Sequence, residues 1–152
     1  MINEKLRQNL VDLALEWECQ YGVAPSIISA ISEYDAATRL VGMSDIEYSC
    51  YMQEQNRTAV SSGHDFDYKN IRYQIKANRP SGKPGSKITN AGKARNYEWD
   101  ILIWIRYNKE YKIEEAWSWE RDKYIEAFAS AKRISPADMR RGLRIDNKDN
   151  DN

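Results

Sequence analysis

The stretch Asp100-Ile101-Leu102-Ile103-Trp104-Ile105-Arg106-Tyr107 limits what this chain can fold into more than any other segment. A strand sends successive side chains to opposite faces. Apolar residues at both parities between Ile101 and Ile105 therefore require a strand that is covered on both sides, as at the centre of a sheet with helices above and below it. Helical patterns flank the stretch. Leu6, Leu10, Leu13, Trp17 and Tyr21 recur at helical spacing and predict an amphipathic first helix stopped by Gly22. Pro25 is expected to open a second helix running to about Leu40, with Ile28, Ile31, Ala36 and Leu40 along one side and Gly42 closing it. Ser44 to Ser62 reads as a less regular connection with a short helix at Tyr48, Tyr51 and Met52. Tyr111–Trp117 is expected to return beside the apolar strand through a hairpin at Asn108-Lys109. A helix from about Glu120 to Lys132 follows, and Ser135-Pro136 starts a last short one. The fold class is α/β, with a central mixed sheet of about four strands flanked by helices.

A chain of 152 residues suits a single domain. Its expected extent is residues 1–145, with the Asn- and Asp-rich residues 146–152 as a disordered tail. Lys and Arg number 23 and so do Asp and Glu. That balance argues against a strong non-specific nucleic-acid binder, so any such contact has to come from local patches. The absence of a long apolar segment or leader pattern makes a soluble cytoplasmic protein the expectation. Cys19 and Cys50 are isolated and predict neither a zinc site nor a disulfide. His64 beside Asp65 does not make a hydrolase, because no Ser or Cys stands in a recognisable nucleophile elbow.

Chemistry concentrates in Asp65-Phe66-Asp67-Tyr68-Lys69-Asn70-Ile71-Arg72-Tyr73-Gln74-Ile75-Lys76. A two-residue turn at Lys69-Asn70 makes this a β-hairpin. Tyr68 then pairs with Ile71, Asp67 with Arg72 and Asp65 with Gln74, with opposed Cβ atoms about 4.5–5.5 Å apart. Arg72, Gln74 and Lys76 share one face with Asp65 and Asp67, while Tyr73, Ile75 and Ala77 form the core face. The alternative reading of this face is a polar outer surface of a hairpin, with Asp67 and Arg72 as a cross-strand ion pair.

Gly63-His64-Asp65, followed nine positions after Asp65 by Gln74-x-Lys76, resembles the PD-(D/E)xK nuclease superfamily in its variant with glutamine at the middle position. His64 stands where the family's name has proline. Two other acid-or-amide-x-Lys triplets compete. Asp67-x-Lys69 ends in the hairpin turn. Glu110-x-Lys112 lies beyond the far end of the apolar strand, roughly 25–30 Å from Asp100 at strand rise.

The resemblance spans roughly residues 26–132. It implies a restriction-endonuclease-like core, a metal-dependent DNA endonuclease of restriction or repair type, Mg²⁺ or Mn²⁺ as cofactor, DNA as substrate and a homodimer. It also implies one more acid from a helix before the hairpin. Glu33 fits that position best, with Glu16 and Glu18 as weaker matches. In such a site Asp65 anchors the metal, and the Gln74 amide oxygen and the Ile75 carbonyl add ligands. Lys76 acts on the attacking water and on charge developing at the phosphate. Arg79, Lys83, Lys87, Lys93 and Arg95, in an acid-free Gly- and Pro-containing loop after Lys76, are expected to contact a phosphate backbone. A second basic group is Lys132, Arg133, Arg140, Arg141 and Arg144. Two other readings remain open: a non-catalytic nucleic-acid- or partner-binding protein of the same fold, and a small interaction protein with an aromatic surface.

Overall fold

The computed structural model describes residues 2–58 and 63–146. Helix α1 (Ile2–Tyr21) stops at Gly22, whose φ of +83° suits a residue without a Cβ and whose N–H returns to the Glu18 carbonyl at 2.7 Å. Helix α2 begins at Ile28 rather than at Pro25 and runs to Asp35. It continues as a π-helical stretch, Ala36–Val41, which Gly42 ends at φ +96°. Helix α3 (Asp45–Thr58) is far longer than the expected short helix. Its start is fixed reciprocally. The Glu47 N–H donates to the Ser44 hydroxyl and the Ser44 N–H to the Glu47 carboxylate, both at 3.1 Å.

Five strands form one mixed sheet in chain order: β1 (Phe66–Tyr68), β2 (Ile71–Asn78), β3 (Ile101–Tyr107), β4 (Ile113–Glu120) and β5 (Leu143–Arg144). The fifth is a two-residue addition to the expected sheet. Only β2 and β3 run parallel, in the register Tyr73↔Ile101 to Asn78↔Arg106. The remaining helices are α4 (Arg121–Phe128), shorter than expected, and α5 (Pro136–Met139), capped by a reciprocal Ser135–Asp138 box. Among the described residues no helix is long and apolar enough to cross a membrane.

The central strand is covered on both sides, as its sequence requires. Ile103, Ile105 and Tyr107 join Tyr73 and Ile75 against Val11, Ile31, Ala36 and Met43. Leu102 and Trp104 join Trp119 against Trp99, Tyr124 and Phe128 on the other face. The crossover between β2 and β3 contains no helix, and its second half belongs to this lower layer. Ala91 N–H bonds to the Ile134 carbonyl at 2.7 Å, and Ala94 N–H to the Tyr124 hydroxyl at 3.0 Å.

The first helix departs from the sequence reading. Leu6, Leu13, Trp17 and Tyr21 keep 55–65% of their surface exposed. The face turned to the core carries Arg7, Val11 and Ala14 instead. Arg7 is held there by Asp35, itself fully buried, with Nε–Oδ1 at 2.6 Å and Nη2–Oδ2 at 2.7 Å. Tyr107 donates its hydroxyl to the same carboxylate at 2.6 Å. A buried charge with this many matched partners is tolerated, and removing one partner is expensive.

Asp146, expected as the first residue of a disordered tail, is ordered: it accepts the Ala116 N–H at 2.8 Å and pairs with Arg144 at 3.0 Å, which anchors it to β4. Residues 147–152 lie outside those described.

Candidate functional site

The hairpin forms with the expected turn. Lys69 and Asn70 both have positive φ, 51° and 66°, the type I′ geometry whose twist suits the flanking strands. Tyr68 pairs with Ile71 and Asp67 with Arg72. The regular ladder ends at Phe66↔Tyr73, so Asp65 does not pair squarely with Gln74. Its N–H returns to the Tyr73 carbonyl at 2.8 Å, and its carboxylate accepts the Ile75 N–H at 2.7 Å. Beyond the end of β1 this carboxylate does for the β2 edge what a neighbouring strand would do. That contact fixes Asp65 at the edge.

Helix α2 overhangs the same edge. Ser29, Ser32 and Glu33 from α2 join Asp65, Gln74, Ile75 and Lys76 in lining one cleft of about 260 Å³. The structure thus brings together Asp65, Gln74, Lys76 and Glu33, which are separated by up to 43 positions in sequence. Ser29 and Ser32 were not singled out from the sequence. Ser29 sits one helical turn before Glu33, so helix periodicity alone places it on the same face once Glu33 is chosen.

The electrostatics of this cleft are strained. Burial, then the neighbouring Asp65 charge and a hydrogen bond with it, pushes the Glu33 carboxyl up to about 8. Burial, then the negative charge of Glu33 and Asp65, pushes Tyr48 up to about 12. Lys76 is lowered, by burial first and by the Arg95 cation second, against the opposing pull of Asp65. Two carboxyl groups and an ammonium face one another with too little solvent to screen them.

Other expected contacts take different courses. Arg72 does not pair with Asp67. Its guanidinium and backbone N–H donate to Asp100 at 2.9–3.2 Å, which holds the Asp100 carboxyl down at about 2. The ends of the parallel pair are thereby tied together. Asp67 instead meets the His64 imidazole. Arg79 is enclosed, donating to both Glu18 oxygens at 2.9–3.1 Å and to the Lys109 carbonyl at 2.7 Å, over the Tyr111 ring at 4.4 Å. Glu18 is accordingly remote from the cleft, and Glu16 is an exposed residue of α1. Lys93 caps the end of α4 through the Ala129 and Ala131 carbonyls at 2.8–3.0 Å. Lys83, Lys87 and Arg95 are exposed. Of the five cations expected on DNA, Arg95 is the one whose charge reaches Lys76. In the second basic group Arg140 is engaged by Glu115 at 2.6 Å, and Arg141 and Arg144 lie over Phe128 and Trp117.

Among the described residues no three His, Cys, Asp or Glu side chains gather as metal ligands. The cleft supplies two carboxylates and one amide. No family model matches the sequence, and no curated protein matches it significantly.

Proposed function

We propose that this chain is a metal-dependent DNA endonuclease of the PD-(D/E)xK type, with its site in the cleft between α2 and the open edge of β2. The observation that supports this reading most is the convergence of Glu33, Asp65, Gln74 and Lys76 on one cleft, although they come from two elements distant in sequence. The donor set fits a hard divalent cation. Glu33 and Asp65 offer carboxylate oxygens, Gln74 offers an amide oxygen, and Ile75 lines the same cleft and brings its backbone carbonyl. Glu33 and Asp65 would hold such a cation, whose charge would offset the repulsion that raises the Glu33 carboxyl.

Mg²⁺ or Mn²⁺ bound there would supply Lewis-acid polarisation of the phosphate and of a water. The chain's own groups do the rest. The Ile75 N–H orients the Asp65 carboxylate. Lys76, its charge destabilised by burial and by Arg95, can orient a water and give up or share a proton more readily than an exposed lysine. The same ammonium stabilises negative charge building on a phosphate oxygen. Arg95, with Lys83 and Lys87 further out along the crossover, provides cations for the backbone on either side.

Cleavage of supercoiled plasmid with Mg²⁺ or Mn²⁺, wild type beside Asp65→Ala, tests this reading. Nicking or linearisation by the wild type that disappears in Asp65→Ala is the expected result. Equal cleavage by both, or none by either under any divalent ion, would remove the nuclease assignment.

A further inference from the structure

The exposed stripe of α1 is the largest feature that the cleft leaves unused. Leu6, Leu10, Leu13, Trp17 and Tyr21 retain 38–65% of their surface, and Trp17 and Tyr21 lie ring to ring at 4.7 Å. Successive members are three or four residues apart, so they form one continuous ridge along a 20-residue helix. Their exposed apolar area is on the order of 600 Å², at the upper limit of what a soluble monomer shows. The ridge borders a groove of about 420 Å³ between α1, α2 and α3, lined by Leu6, Leu10, Ile31, Tyr48 and Met52. Ridge and groove together approach the roughly 800 Å² that each partner contributes to a standard interface.

We infer that this surface docks a second copy of the same chain, α1 against α1 in antiparallel orientation about a two-fold axis near Leu13. The spacing itself points to self-association. Leu10 and Trp17 are placed symmetrically about Leu13-Ala14, and so are Leu6 and Tyr21. Antiparallel pairing therefore sets Trp17 and Tyr21 of one copy opposite Leu10 and Leu6 of the other, at the mouth of the groove. One patch serves both partners, as a two-fold interface requires. Large aromatic side chains entering an apolar groove are the usual centre of a stable interface.

The rim is compatible with this arrangement. In this register Glu16 of one copy is level with Val11 of the other, Asp12 with Leu15 and Glu18 with Asn9, so no like charges are opposed, and the chain carries no net charge to keep copies apart. A membrane or nucleic-acid surface fits poorly. The residues on the solvent side of the ridge are Lys5, Asn9, Asp12, Glu16 and Gln20, one cation against two acids, where such partners select an excess of cations. The inference does not depend on the nuclease reading, since a dimer without cleavage leaves it intact.

Sedimentation velocity on the full chain at 10–100 μM tests it. A dimer is expected, and Trp17→Glu should weaken it at least 100-fold while leaving the circular dichroism of the folded chain unchanged and removing the concentration dependence of its melting temperature. Leu143→Glu, an equally exposed position on β5, should leave the dimer intact. Leu13→Gln repeats the test with a milder change if Trp17→Glu does not fold. In a Cys19→Ser/Cys50→Ser background, Leu13→Cys should cross-link copies under mild oxidation, because it lies at the axis. A monomeric wild type at 100 μM, or a dimer that survives both ridge variants, overturns the interface. Failure of the Leu13→Cys cross-link in a confirmed dimer overturns the antiparallel register.

Discussion

Asp35 and Glu33 lie two residues apart on α2 and live in opposite electrostatic settings. Asp35 is fully buried, yet its carboxylate is matched by the Arg7 guanidinium, the Tyr107 hydroxyl and, at 3.5 Å, Arg39. Glu33 is less deeply placed, and the charge that acts on it is another carboxylate, Asp65. Burial alone therefore does not mark a working acid. A compensated acid ties α1, α2 and β3 into one body, whereas an uncompensated one holds a site that something positive can enter. Two positions, about 200° around one helix, separate the two uses.

The comparison can be broken first at its structural end. Arg7→Ala removes the main partner of Asp35 and leaves a carboxylate buried among apolar side chains. About 3–5 kcal/mol of stability should be lost in urea unfolding. A change below about 1 kcal/mol would mean that Tyr107 and Arg39 suffice and that the pair is redundant.

At the other end, Lys76→Ala should lower plasmid cleavage about 10²–10³-fold while shifting the unfolding midpoint little. Unimpaired cleavage would take Lys76 out of the chemistry.

The smallest effect sharpens the contrast most. Glu33 in the folded chain titrates at about 8, above its ordinary 4.5, so the folded state holds that proton more tightly than the unfolded state does. Stability attached to it is complete below 4.5 and declines as pH rises towards 8. Glu33→Gln cannot ionise. In metal-free buffer it should match the wild type at pH 4.5 and be more stable at pH 9 by about 1–2 kcal/mol. Melting curves at the two pH values decide this, and a variant no more stable at pH 9 would show that the carboxyl groups do not repel.

Much of this was legible in the sequence where interactions are local. The Lys69-Asn70 turn, the two-faced strand at Ile101–Ile105 and the Ser135-Pro136 start each depend on a few adjacent residues, and each formed as expected. Ser44-x-x-Glu47 carried the signal for α3, a reciprocal cap, although the polar run after it reads as irregular chain. The first helix could not be read this way. Large apolar residues dominate its periodicity, but the core face contains a charged Arg7 and a small Ala14. Arg7 is admitted by Asp35, 28 residues away, and Arg79 by Glu18, 61 residues away. Partners at that distance leave no mark on local spacing. The crossover was misjudged for a related reason, since its basic residues suggested a solvent loop while Ala91, Ala94 and Trp99 fix it to the lower layer.

The parallel pairing of β2 with β3 also bears on the order in which the molecule assembles. A tight two-residue hairpin such as β1–β2 closes in about 1–10 μs. Arg72 and Asp100, which clamp the parallel pair, are 28 residues apart, and that longer loop must be closed at greater entropic cost. Asp65, Gln74 and Lys76 thus arrive together on the hairpin, whereas Glu33, 32 residues before Asp65, needs a loop closure of the longer kind to reach them. If that closure follows the folding transition state, the repulsion between the two carboxylates is absent from it, and Glu33→Gln should then show a φ-value near zero. Relieving it should act chiefly as a brake on unfolding, lengthening the lifetime of the native chain while leaving its refolding rate nearly unchanged.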